Sequence, residues 1–194
     1  MVRTSTRLEF DERVAGADGG AWSMFLAGDV LYQRDTEDAG DAGDAGDAGD
    51  APFAPMLAGR IERAELSLAN LEAPVRTDAS PIPKSGPTKE QSAGTPRMLD
   101  RAGFDAVTLA NNHVMDYGEE GLAATTAACR DVGLDTVGAG EDHEAALRPL
   151  VRSVGGSEVA VFNLCEREFG VAERDRPGTA WRGHPSVDDR ISAA

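Results

Sequence analysis

The chain has 194 residues, of which 34 are acidic and 19 basic, for a net charge of −15. That length holds one complete core, and a field of that sign repels nucleic acid and anionic membranes, so neither is expected as a partner. No apolar run is long enough to span a membrane, and the opening residues, MVRTSTRLEFDERVAG, lack the hydrophobic stretch of a secretory signal, so a cytoplasmic location is the expectation.

Among the bases only Lys84 and Lys89 are lysines, and the acidic excess is rich in aspartate. That balance reads as adaptation to high salt, where screening makes self-repulsion tolerable. An anionic substrate would then need a metal to draw it in. Cys129 and Cys165 fall in a helix interior and at a strand end, which implies no disulfide framework.

In chain order, the first apolar run is MFLAG at residues 24–28, followed by DAGDAGDAGDAGD at residues 38–50. This three-residue repeat has nothing to bury, so residues 37–51 are expected to be an acidic insertion loop on the surface of a single domain. Next come a helical stretch at 53–65, the strand LSLANL, a turn-rich loop at 84–96 long enough to be functional, and a helix at 95–102 with Pro96 in its first turn. The strand DAVTLA, a helix at 119–132 stopped by Gly133, and the strand LDTVGA follow. Short apolar runs alternating with helices predict a largely parallel sheet covered on both faces. The Gly155-Gly156 pair, between two strand-like runs, predicts a hairpin and so a mixed sheet. Ser186 is placed to cap a last helix, whose expected following strand would lie beyond Ala194.

In such sheets ligands bind beyond the carboxyl ends of the strands. The residues there are Asp29, then Asn70 and Glu72, then Asn111, Asn112 and His113, then Asn163 and Glu166. Carboxylates, amide oxygens and imidazole suit Mn²⁺, Zn²⁺ or Fe, and two carboxylates facing one rim repel each other unless a cation lies between them. Each residue also has a purely structural alternative. Asp29 and Asp116 could cap following segments, Glu72 could be a solvated loop acid, Asn111 could bond backbone, and a lone histidine such as His113 is more often structural than a ligand. His143 and His184 are expected to face solvent. The glycines of VGAGED fit a tight turn and lack the full dinucleotide-binding pattern.

The stretches FLAGDV, LANLEAPV, AGFDAVTLANNHVMDYGEEGL and VGAGEDHEAA, in that order, resemble the CapA-type poly-gamma-glutamate capsule synthesis proteins, from residue 24 to the C-terminal end. That family is similar to the calcineurin-like metallophosphoesterases. The resemblance implies a layered α/β sandwich of which this chain is the N-terminal part, with one or two divalent ions at the strand ends. It makes Asp29, Glu72 and Asn112 metal ligands, and His113 the group that contacts phosphate or protonates the leaving oxygen. Asn70, Asn111, Asp116, Glu166 and Glu168 would line the pocket. Leu31 stands where the phosphoesterase pattern has a histidine, and the later histidines of such centres would lie beyond Ala194. The expected function is therefore a metal-dependent phosphoesterase-type hydrolase acting on a phosphoester or anionic polymer in capsule synthesis. The rival expectations are a non-catalytic polymer-binding or assembly component, and an inactive fragment.

Overall fold

The structure is a computed structural model that describes residues 14–15, 21–33, 53 and 55–194; the acidic insertion at residues 37–51 lies outside the described residues. Its centre is a four-stranded parallel sheet in the order β3-β4-β5-β6. The strands are β3 (Met24–Val30), β4 (Leu66–Leu71), β5 (Ala106–Thr108) and β6 (Asp135–Val137). Short strands β1 (Val14–Ala15) and β2 (Ala21–Trp22) pair with each other ahead of it. The connections carry α1 (Pro55–Ile61), α2 (Thr95–Arg101) and α3 (Gly118–Asp131).

Alternation along the strands sorts side chains to two faces. Ala69 and Leu71 of β4 and Val107 of β5 join Ile61 of α1, Leu99 of α2 and Leu122 and Cys129 of α3 in one core. Leu66 and Leu68 of β4 and Ala106 of β5 face the other way, against Leu150 and Val154. All three helices thus share one face. The reason is topological. Strands taken in unbroken order with right-handed crossovers place every helix on the same side.

The opposite face is covered by the hairpin that Gly155-Gly156 predicts, β8 (Leu150–Val154) paired antiparallel with β9 (Ser157–Val161). The antiparallel pairing that makes the architecture mixed therefore lies in separate two-stranded ladders. The result is a layered α/β sandwich: helices, parallel sheet, hairpin.

After the sheet, β7 (Ala139–Gly140) pairs with β10 (Gly178–Thr179), and the short helix α4 (His143–Ala146) lies between β7 and β8. The last helix is α5 (Val187–Ala193). Ser186 stands at its N-cap, but its hydroxyl meets Nδ1 of His184 at 2.8 Å and caps nothing. His143 and His184 are half-buried and stacked, with ring centroids 4.8 Å apart, so neither is a free surface side chain.

Helix α3 ends as its sequence predicts. Gly133 adopts φ +87°, its N–H donates to the Arg130 carbonyl, and the N–H of Leu134 donates to that of Cys129. Those two bonds satisfy carbonyls the helix would otherwise leave open, and only glycine takes that backbone conformation cheaply.

Candidate functional site

The carboxyl ends of β3, β4 and β5 lie side by side, and the polar residues following each strand meet there. Between Ala27 and Asp29 the register of β3 against β4 slips by one residue, a bulge at Gly28 that sets Asp29 opposite Asn70. The amide nitrogen of Asn70 then donates to Asp29 Oδ1 at 2.6 Å and to Glu72 Oε2 at 3.3 Å. Its oxygen accepts from Thr108 Oγ1 and Asn111 Nδ2, each at 3.2 Å. One carboxamide therefore gathers the ends of all three strands.

Beyond β5 the chain turns sharply. Asn111 Oδ1 accepts the backbone N–H of His113 at 2.9 Å and of Val114 at 2.8 Å, while its Nδ2 donates to the Leu71 carbonyl at 2.9 Å. These bonds explain an asparagine here: a short side chain closes the turn on itself and ties it to the neighbouring strand. The turn buries His113 and aims its Nε2 at Glu72 Oε1, 3.8 Å away. Its Nδ1 lies 2.7 Å from Asp116 Oδ2.

Asp116 is wholly buried and is not the cap of α3, whose N-cap residue is Tyr117. Its carboxylate accepts from the backbone N–H of Lys89 at 2.7 Å and from the ammonium of Lys84. Lys89 in turn donates to Glu72 Oε1 at 2.9 Å. Both lysines of the chain thus enter the site from the 84–96 loop. The sequence reading marks that loop as functional and singles out the two lysines without joining the two observations. That the other bases are all arginine marks the two lysines in the sequence without naming their partners.

Asn112 is exposed and lines, with His113, an open cavity of about 470 Å³ whose other walls are Lys84, Ser85, Gly86, Pro87, Glu168 and Phe169. Glu166 lies apart, paired with Arg182 at 2.8 Å on the surface. Cys165 donates to Thr179 Oγ1 at 3.3 Å, and burial, with Glu168 and Glu166 adding to it, pushes its thiol above the usual range. A thiol so held stays neutral and is no nucleophile. Asn163 is structural: its Oδ1 accepts the Ala110 N–H at 2.5 Å, close against Gly138 at φ +96°, where a Cβ would lie 2.1 Å from that oxygen.

The structure therefore brings together Asp29, Asn70, Glu72, Asn111, His113 and Asp116, sets Asn112 and Glu168 on the adjoining cavity, and leaves Glu166 outside. As donors for a metal, Asp29, Glu72 and the Asn112 amide fit by chemical type and charge. Four carboxylates, Asp29, Glu72, Asp116 and Glu168, stand against two lysines at the site and cavity. Among the described residues no three His, Cys, Asp or Glu side chains form a group that could hold a metal ion. No described helix is long and apolar enough to cross a membrane.

The chain is 33% identical over 87 residues to the capsule biosynthesis protein CapA of Bacillus anthracis, covering 44% of this chain and 21% of that protein. It is 43% identical over 76 residues to a probable polyglutamine synthesis accessory protein of Mycobacterium tuberculosis, covering 36% of this chain and 20% of that one. The matched stretch spans about a fifth of the length of these relatives. Residues 23–191 match the family described as bacterial capsule synthesis protein PGA_cap. The chain belongs to that bacterial capsule synthesis protein family.

Proposed function

We propose that this chain carries part of a metal-dependent, phosphoesterase-type hydrolytic centre in a protein of capsule or poly-glutamate biosynthesis. The relatives' names support the biosynthetic setting. One observation carries the chemistry: Asp29 and Glu72 converge on a single amide nitrogen, at 2.6 and 3.3 Å. Two carboxylates gathered at one rim are the oxygen donors and the negative charge that a divalent cation suits. Lys89 reaches Glu72, whereas Asp29 holds only the neutral Asn70 amide among the described residues.

Asp29, Glu72 and Asn112 would hold one or two divalent ions, of which Mn, Zn and Fe suit these donors. Such an ion supplies Lewis acidity and makes a strong nucleophile of water at neutral pH. The rest falls to the chain. His113 presents Nε2 to the reacting group: with Nδ1 donating to Asp116 at 2.7 Å, Nε2 is the nitrogen that takes up a proton from solvent and passes it to the leaving oxygen. The cavity beside it receives the leaving group, with Glu168 on its rim.

The test is manganese-dependent hydrolysis of bis(p-nitrophenyl) phosphate. His113→Ala should lower the rate by about 100-fold or more, the usual contribution of one proton-transfer group. Hydrolysis indifferent to chelator and to that substitution would reject the assignment. A second reading, a non-catalytic component that binds an anionic polymer through the same cleft, is favoured by Leu31 at the position of an expected histidine and by the Lys89–Glu72 pair at 2.9 Å. Metal-independent binding of poly-gamma-glutamate without any hydrolysis would support it.

A further inference from the structure

Lys84 has a side chain only 2% exposed, and its ammonium has three polar neighbours. These are the Asn112 carbonyl at 3.0 Å, Asp116 Oδ1 and, at 3.3 Å, His113 Nδ1. The Phe169 ring covers it, with the ammonium 4.8 Å from the centroid. Burying an ammonium with its carboxylate is costly, and an apolar pair of similar volume in place of Lys84 and Asp116 would stabilise the fold at least as well. Packing therefore does not account for a lysine here. Its hydrogen-bonding contacts are all with His113, with the backbone just before it or with Asp116, which holds its ring.

We infer that Lys84 is a positioning residue: together with Asp116 it fixes the ring of His113 with the proton on Nδ1 and the lone pair of Nε2 toward Glu72. The inference rests on the proposed role of His113 as the proton-transfer group. Nδ1 has two polar neighbours of opposite kind, since an ammonium offers only hydrogens and a carboxylate only lone pairs. The shorter contact, 2.7 Å, is to Asp116 Oδ2, so Nδ1 is the donor there. Lys84 spends its hydrogens on the other carboxylate oxygen and on the Asn112 carbonyl, immediately before His113. The carboxylate is thus gripped through both oxygens, with the Lys89 N–H at 2.7 Å completing the grip, and has no freedom to rotate away from the imidazole. Charged groups behind a histidine set its tautomer in this way at many sites.

The experiment is long-range ¹H–¹⁵N correlation NMR of the histidines, with His113 assigned by His113→Gln, in the wild type, Lys84→Met and Lys84→Arg. Manganese-dependent hydrolysis is followed in parallel. The wild type should show the Nδ1–H form of His113. Lys84→Met should show a mixture of tautomers and lose about 10-fold to 100-fold in kcat at unchanged KM, the usual effect of removing such a supporting group. Lys84→Arg, which keeps the charge, should recover part of both. If Lys84→Met fails to fold, Lys84→Gln takes its place, since it retains hydrogens for the two oxygens without the charge. An unaltered His113 tautomer in the folded Met or Gln variant would overturn the inference, as would an Nε2–H form in the wild type. The predicted tautomers without any metal-dependent hydrolysis would count for the positioning role and against the hydrolase reading, so the two failures are distinct.

Discussion

Replacing Asp116 by asparagine changes little volume but removes the buried carboxylate charge that pairs with Lys84. The two side chains are 0% and 2% exposed, so solvent screens the loss very little. Removing one partner of a buried ion pair costs about 3–5 kcal/mol, because the other charge is left uncompensated. In a domain of this size each kcal/mol lowers Tm by roughly 2–4 °C, which gives a fall of roughly 6–20 °C. Urea denaturation followed by circular dichroism measures it, with the linear slope checked for constancy. The double variant Lys84→Met, Asp116→Asn no longer carries the orphaned charge, so it should be more stable than Asp116→Asn alone. A coupling energy of about 1–3 kcal/mol between the two positions is expected. A cost below about 1 kcal/mol for Asp116→Asn, or strict additivity in the double variant, would refute the buried-pair reasoning.

Other outcomes follow from the same geometry. Gly138→Ala forces a Cβ to 2.1 Å from Asn163 Oδ1 at a backbone φ of +96°, so it should cost more stability than Gly133→Ala. Gly133, at φ +87°, meets nothing within 4 Å and should lose only the left-handed strain of about 1–2 kcal/mol, both read from urea midpoints. Burial pushes the Cys129 thiol up to about 12, and Cys165 is raised as well, so native protein at pH 8 should react with a thiol reagent far more slowly than protein in urea. Burial first, and then the neighbouring His143, lowers the pKa of His184 below its ordinary 6.5. The unfolded chain then takes up this proton first, so the contribution is full above about 6.5 and is lost as pH falls through the lower folded value. His184→Gln should flatten that part of the stability profile.

The parallel sheet was legible because its strands are short apolar runs closed by polar residues, and LSLANL coincides with β4 residue for residue. Helix α3 was legible through its spacing and Gly133. The layering was less so. Helices fall on one face or two according to strand order, and strand order is set by long-range pairing that no local pattern encodes. At the site, the strand-end rule located Asp29, Glu72 and His113 because backbone direction alone carries them to one rim. Asp116 read equally well as a helix cap, since an acid two residues before a helix fits both roles until burial is known. The work of Lys84 and Lys89 was hidden for a different reason. A loop residue's partner depends on how the loop folds back, here from residue 84 to residues 112–116, a separation over which sequence spacing says nothing. Glu166, two residues from the cavity-lining Glu168, points to Arg182 instead.

Whether Asp29 and Glu72 hold a divalent cation between them is read from Mn²⁺ binding followed by electron paramagnetic resonance. The wild type should bind manganese in competition with Zn²⁺, and both Asp29→Asn and Glu72→Gln should weaken that binding by tenfold or more. Retention of manganese by the double variant, or none bound by the wild type, would contradict the account.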